Sequence, residues 1–180
     1  MNRPTQFAAL CVATALFISG CASAAESPTG LAPTTDSGSN QTDVAFAQMM
    51  IPHHADAIAI SEALLESEGV RDEVAELAHN IIKSQRSENV AMAEWLTAQD
   101  AAVPNDAPVV DASTEDIAAL TPGEREDAFL AAMISHHEHG VMMADNAAAK
   151  GGSDFMVELE REMSAAQSEE IATMQSWLDS

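Results

Sequence analysis

The amino-acid sequence predicts an all-α protein, a four-helix bundle built from two duplicated helical hairpins. Three observations favour this fold class. Apolar residues make up 47% of the 180 residues, aromatic residues only 4%, and Tyr is missing, which favours packed helices over β-sheet. The second half of the chain repeats motifs of the first half. Each half also contains two long runs in which apolar residues recur with the period of an α-helix.

The first 20 residues predict an export signal. A short basic start that includes Arg3 precedes an apolar run over 7–18, and small residues then lead to Cys21. The run is too short to span a membrane, which takes about 20 apolar residues. Residues 1–20 therefore resemble a lipoprotein-type signal peptide, with Cys21 as the lipidated first residue of the mature protein. Ala22-Ser23-Ala24 also fits an ordinary signal peptidase site, which would release a soluble protein.

Residues 21–42 predict a flexible tether, because they are rich in Ser, Thr, Ala, Pro and Gly and have little to bury. The bundle domain follows over 43–180. It contains two copies, 43–98 and 121–180, which align with an offset of 83 residues over their first helices and 82 over their second. The aligned identities are Phe46, Met50, Ile51, His53 and His54 with Phe129, Met133, Ile134, His136 and His137, then Leu77, Gln85, Glu88, Met92, Trp95 and Leu96 with Leu159, Gln167, Glu170, Met174, Trp177 and Leu178.

The first copy predicts one helix from Asp43 to about Ser67, a break at Gly69, and a second helix over 72–98. Residues 99–120 contain two prolines and predict a crossover linker, which allows a short helix over 114–120.

The second copy predicts a third helix that begins after Thr121, because a capping Thr, a proline at the first helical position and Glu124 form a capping-box pattern. A glycine pair at 151–152 separates the third helix from the fourth, for which Ser153 is the predicted cap.

Helical periodicity places a histidine pair within an apolar sector of both the first and the third helix. These pairs are His53-His54 and His136-His137, and a methionine lies one turn before each pair. Helices two and four each carry Gln, Glu and Met along one apolar line. Buried carboxylates and imidazoles need partners, so we expect these groups to satisfy one another across the bundle. The residues of the two lines are Gln85, Glu88, Met92, Gln167, Glu170 and Met174.

Two interpretations of this pattern are open. In the first, the histidines and glutamates form a metal-free hydrogen-bonded network and the methionines only fill space. In the second, imidazole and thioether groups form a soft donor set that suits copper, particularly Cu(I), with the carboxylates orienting the imidazoles. The candidate metal ligands are Met50, His53, His54, Met133, His136, His137, His139, Met142 and Met143, with the glutamine, glutamate and methionine lines as orienting groups or additional ligands.

The second copy predicts the softer site. His139, Met142 and Met143 follow its histidine pair at one-turn spacing, whereas the first copy has Asp56, Ala59 and Ile60 at the equivalent positions. His79 follows Glu76 in an E-x-x-H spacing that di-iron bundles use twice. Here the spacing occurs once and off the apolar stripe, so we interpret it as a solvated pair.

Charge and motifs exclude several classes of function. The formal net charge of −22 repels nucleic acid and anionic lipid, so we expect no nucleic-acid partner and membrane attachment only through a lipid anchor. The sequence contains no nucleophile, phosphate-binding or organic-cofactor motif, which argues against an enzyme. The leading hypothesis is an exported protein that sequesters or delivers copper. The alternatives are a bundle oxidoreductase with a copper or di-iron centre, and a metal-free structural or interaction module of the cell envelope.

The segments Met49–Ile58 and Met133–Met143 resemble the paired His-His signature of the bacterial domain of unknown function family 305. The resemblance covers about Asp43 to Leu178 and implies a ferritin-like four-helix fold. It also implies copper binding in the periplasm or outside the cell, since some members of the family bind copper there. On this basis the two histidine pairs, with Met50 and Met133, are the implied ligands. The family usually has Met six residues after the second His, where this chain has Ile60 in the first copy and Met143 in the second.

Overall fold

A computed structural model describes residues 38–107 and 121–179, and in these two ranges the chain forms four α-helices and no strand. They are α1 (Gln41–Leu65), α2 (Asp72–Ala98), α3 (Pro122–Ala148) and α4 (Asp154–Leu178). The predicted all-α bundle is confirmed. The predicted signal peptide, Cys21, most of the tether and the short helix over 114–120 lie outside the described residues. None of the four helices has an apolar stretch long enough to cross a bilayer.

Helix α1 begins two residues earlier than predicted because Asn40 caps it. The Asn40 side chain accepts from the Thr42 N–H, and the Asn40 N–H donates to the Asp43 carboxylate at 2.7 Å. The same carboxylate accepts from the N–H groups of Gly152 and Ser153. Asp43 therefore joins the N-terminus of α1 to the N-terminus of α4, where helix dipoles favour a negative charge.

The caps of the second copy follow the predicted pattern. The Glu124 carboxylate accepts from the Thr121 N–H and hydroxyl at the start of α3. The Ser153 hydroxyl accepts from the Met156 N–H at 3.1 Å at the start of α4. These contacts satisfy backbone donors that have no partner inside a helix, so both helices begin where the local sequence directs.

The helices form two hairpins, α1 with α2 and α3 with α4, which dock through α1 and α3. One apolar cluster combines the N-terminal half of α1 with the C-terminal half of α3, and a second combines the opposite halves. Helices α1 and α3 are therefore antiparallel. The first cluster includes Phe46, Met50 and Trp95. The second includes Ile60, Phe129 and Met133.

A polar layer separates the two apolar clusters in the middle of the bundle. All four helices contribute to this layer: the two histidine pairs come from α1 and α3, and Gln85, Glu88, Asn89, Gln167 and Glu170 come from α2 and α4. Phe46 in one cluster is the repeat equivalent of Phe129 in the other. The two copies are therefore related by a pseudo-two-fold axis that passes through the polar layer.

A buried carboxyl lies away from this layer, near the junction of α1 and α4. Glu160 is fully buried, and neither of its carboxyl oxygens has a hydrogen-bond partner. Burial and the nearby charge of Asp43 together raise the pKa of Glu160 to about 8, while Arg161 opposes the change. The repeat equivalent of Glu160 is Ala78, so the first copy has no matching acid.

Candidate metal centre

The two histidine pairs occupy the polar layer, and each pair divides into an inner and an outer ring. His54 and His137 are fully buried, whereas His53 and His136 are half-buried between α1 and α3. This division follows from helix geometry, because adjacent residues on a helix point about 100° apart. The inner rings face α2 and α4, and the outer rings face each other.

Hydrogen bonds fix the orientation of the inner ring of the first copy. The Asn89 side-chain N–H donates to the Ile51 carbonyl at 3.1 Å, so the amide oxygen of Asn89 is free to accept. This oxygen lies 2.9 Å from Nδ1 of His54. Nδ1 must then carry the proton, which leaves a lone pair on Nε2, 3.5 Å from the Glu88 carboxylate.

The inner ring of the second copy is held by a carboxylate instead. Nε2 of His137 lies 2.8 Å from Oε2 of Glu170, so Nε2–H donates to the carboxylate. The lone pair is then on Nδ1 of His137, which is buried and has no partner. This arrangement is the carboxylate–histidine pairing that orients imidazole ligands in metal sites. It also matches the expected contact between glutamate and histidine.

The outer rings meet on the pseudo-two-fold axis. The ring centroids of His53 and His136 are 3.8 Å apart with an interplanar angle of 32°, and these residues are repeat equivalents. Nε2 of His136 lies 3.1 Å from the His53 carbonyl oxygen and donates to it. The ring of His139 lies 5.2 Å from the His53 ring and is exposed to solvent. Three imidazoles thus gather at one place between α1 and α3.

Gly140 leaves room for side chains of two neighbouring helices. A Cβ atom at position 140 would lie 2.3 Å from Oε1 of Gln167 and 3.2 Å from Cε1 of His53. The flexible end of the Gln167 side chain would have to move, and the His53 ring would have to shift by a few tenths of an ångström. The absent side chain therefore leaves the space that His53 and Gln167 use.

Burial keeps three of the histidines neutral. Burial, together with the neighbouring imidazoles, lowers the pKa of His53 to about 2, that of His54 to about 3 and that of His136 to about 4. Burial also raises the pKa of Glu88 to about 7, with a contribution from the charge of Glu170. A neutral imidazole is the form that binds a metal ion, so the rings need not release a proton first.

The buried rings present nitrogen atoms without hydrogen-bond partners, and this fits a metal cargo. Both ring nitrogens of His53 and the Nδ1 atoms of His136 and His137 are buried and unpartnered. Such atoms are costly unless something binds them. Within residues 38–107 and 121–179, no three His, Cys, Asp or Glu side chains already stand as a complete ligand set. Binding therefore requires rotation of rings or the addition of thioethers.

The predicted methionine ligands lie at different depths. Met50, Met92, Met133 and Met174 are fully buried within the apolar clusters above and below the polar layer. Met143 is partly buried against the first cluster, and Met142 is 59% exposed. Gln85 and Gln167 lie in the polar layer, each with an unpartnered side-chain oxygen. His79 and Glu76 are exposed on α2, as expected for a solvated pair.

Two residues of the centre are not singled out by the sequence patterns. Asn89 has no repeat equivalent of the same type, since Ile171 occupies that place, so the duplication gives no indication of its role. Gly140 aligns with Ala57, and a small residue in both copies at the point where the hairpins cross is a usable indication of close packing.

Several known proteins share this four-helix fold. The model of DUF305, a domain of unknown function, matches residues 43–178. A DUF305 fragment from Deinococcus radiodurans is 26% identical with a TM-score of 0.70, covering 78% of this chain and 97% of that chain. A DUF305 protein from Streptomyces coelicolor, provisionally named a secreted protein, is 26% identical with a TM-score of 0.71, covering 77% of this chain and 91% of that chain.

A third structure is CopM in its Cu(I)-bound form. It is 32% identical with a TM-score of 0.68, covering 78% of this chain and 97% of that chain. CopM has also been solved in Cu(II)-bound, Ag-bound and apo forms. No curated protein sequence matches this chain significantly.

Proposed function

We propose that this chain, which belongs to the DUF305 family, is a copper-binding protein with Cu(I) as its main cargo. It shares its fold with CopM, for which a Cu(I)-bound structure is known. One observation carries the proposal. The outer histidines His53 and His136 meet on the pseudo-two-fold axis, and both present unpartnered nitrogen atoms. Neutral imidazoles are donors for a transition metal rather than for Ca²⁺ or Mg²⁺, and rotation of these neighbouring rings would turn their nitrogens towards one ion.

The centre is shared by the two copies instead of being repeated once per copy. His53 and His136 supply one imidazole from each hairpin, and His139 supplies a third at the solvent side. His54 and His137 lie behind them, bonded to Asn89 and Glu170. We expect one tight Cu(I) per chain at this centre, with the inner histidines, Met50, Met133 and Met143 as further candidate ligands when the rings rotate.

The copper-bound and silver-bound forms of CopM support a soft metal, since Ag(I) is a close chemical analogue of Cu(I). The role that fits this donor set is sequestration or delivery without turnover. A di-iron oxidase would require several carboxylate ligands. In the polar layer, Glu170 is instead hydrogen-bonded to His137, and Glu88 lies beside His54.

We propose that the protein works outside the cytoplasm, anchored by lipid on Cys21. The lipoprotein-type signal over 1–20 supports this location, and so does the name of the Streptomyces coelicolor relative. The negative charge of the folded domain keeps it away from an anionic lipid surface, so the tether over 21–42 would hold it at a distance.

Anaerobic titration tests the proposal. Purified protein should bind one equivalent of Cu(I) or Ag(I) tightly in competition with a Cu(I) chelator, and should bind Zn(II) much less tightly. His53→Ala and His136→Ala should each weaken Cu(I) binding by roughly a hundredfold or more, as loss of a ligand costs at least as much as loss of an orienting group. His79→Ala, on an exposed face of α2, is the matched control and should leave the affinity unchanged. Wild-type protein that binds no Cu(I), or binds it equally well without His53 and His136, would refute the proposal.

A further inference from the structure

A cavity opens on the outer groove between α1 and α3, one helical turn from the histidines. Its volume is about 340 Å³, and residues from the N-terminal end of α1 and the C-terminal end of α3 line it. Two of the lining residues are methionines, Met49 from α1 and Met143 from α3. Two thioethers from different helices therefore face one solvent-accessible space.

The position of this cavity relates it to the histidines. Met49 lies four residues before His53 on α1, and Met143 lies four residues after His139 on α3. Residues four apart on a helix lie on the same face. The cavity is therefore the next site along the groove from the place where His53, His136 and His139 gather.

Packing in the core does not account for a methionine at position 49. Its side chain is 56% exposed, whereas its neighbour Met50 is fully buried in the first apolar cluster. An exposed flexible thioether contributes little to stability, but it remains available as a soft ligand. The sequence pattern favours Met50 as the ligand from α1. In the structure, however, Met50 is buried and Met49 is the methionine that solvent can reach.

We propose that Met49 and Met143 form a capture site for a soft monovalent cation, which binds Cu(I) before it reaches the histidines. The site rests on the proposed function for its cargo; it adjoins the histidine centre, and Met143 is a candidate ligand of both, whereas Met49 belongs to the capture site alone. Transfer is a ligand exchange in which copper–sulfur bonds are replaced by copper–nitrogen bonds, with no change of oxidation state. Neutral thioethers accept Cu(I) or Ag(I) and discriminate against Zn(II) and hard cations.

Two measurements test the capture site. In protein with ¹³C-labelled methionine methyl groups, Ag(I) should shift the NMR signals of Met49 and Met143, both in the wild type and in a His53→Gln/His136→Gln variant. Met49→Leu and Met143→Leu should each slow Cu(I) uptake from a chelator by roughly tenfold, the effect of about 1.4 kcal/mol on a barrier. Met156→Leu, the same exchange in the buried core, is the matched control and should take up Cu(I) at the wild-type rate.

The outcomes separate the two proposals. Unshifted signals of Met49 and Met143, or uptake by Met49→Leu at the wild-type rate, would overturn the capture site while tight Cu(I) binding by the histidines stood. Shifted signals of Met49 and Met143 in a protein whose histidine variants bind Cu(I) as the wild type does would support the capture site and overturn the histidine centre.

Discussion

Replacing the buried carboxyl of Glu160 with an amide should change how the stability of the bundle depends on pH. Glu160 is fully buried without a hydrogen-bond partner, and its pKa is raised from 4.5 to about 8. Between these two values the native state holds the proton and the unfolded chain has lost it. The unfolded state then binds fewer protons, so the free energy of unfolding falls as the pH rises through this window.

The size of the effect follows from the difference between the two pKa values. One proton changes the free energy of unfolding by about 1.4 kcal/mol per pH unit, so the full window gives an upper bound of about 5 kcal/mol. Water that enters the site when Glu160 ionises reduces this to roughly 2 kcal/mol. In Glu160→Gln this pH-dependent loss is absent. The amide of the variant is buried without partners, as is the protonated carboxyl that it replaces, so this cost of about 1–3 kcal/mol is common to the two proteins and does not depend on pH.

Urea unfolding of the wild type and Glu160→Gln at five pH values from 5 to 9 would measure the difference. The variant should be about as stable as the wild type at pH 5, and its stability relative to the wild type should rise up to about pH 8 and then level off. Taking the difference between the two proteins removes the contributions of other titrating groups. Glu158→Gln, on the exposed face of α4, is the matched control and should run parallel to the wild type. Parallel curves for the wild type and Glu160→Gln would refute the assignment of a protonated Glu160.

Four further predictions concern the metal centre and the chain around it. Glu170→Gln should weaken Cu(I) binding by roughly 10–100-fold in chelator competition, because His137 loses the carboxylate that orients it; unchanged affinity would remove His137 from the centre. Gly140→Ala should leave the helical content intact but move the end of the Gln167 side chain and crowd the His53 ring, so Cu(I) affinity should fall slightly while far-UV circular dichroism stays constant; an unchanged affinity would show that this crowding does not reach the donor atoms. Chelator-treated protein should already be helical by circular dichroism, since two apolar clusters hold the bundle together, and a coil spectrum that becomes helical only with copper would contradict this. Cys21→Ala should abolish an acyl mass increment in the exported protein, and a native mass without that increment would argue for release at the ordinary signal peptidase site.

The helices could be predicted from the sequence because their ends depend on local groups. Ser153 caps α4, and Glu124 accepts from Thr121 at the start of α3, as their spacing indicates. The sequence analysis places the start of α1 at Asp43, two residues late, because it does not identify Asn40 as the cap. Asn40 and Asp43 form a capping box, which joins positions three apart.

The sequence identifies the side chains of the polar layer that form the candidate metal centre, but it does not give their geometry. Periodicity identifies the inward sector of α1, yet it does not decide which of two adjacent methionines faces the core. Packing against α2 and α3 buries Met50 and leaves Met49 exposed. Glu160 extends the inward line of α4 by one turn from Met163, but the predicted polar residues of that line are only Gln167 and Glu170. Glu160 has no glutamate at the equivalent place in the first copy, so the duplication does not point to it, and the junction of α1 and α4 buries it.

The contact between His53 and His136 has a consequence for the origin of the centre. At a two-fold axis a residue meets its own copy, so a half-length ancestral chain that paired with itself would have formed this contact from a single histidine. One mutation in such a chain would have created both halves of a ligand pair at once. After the two hairpins became one gene product, each position was free to change alone. Asp56 in the first copy and His139 in the second show that divergence beside the axis.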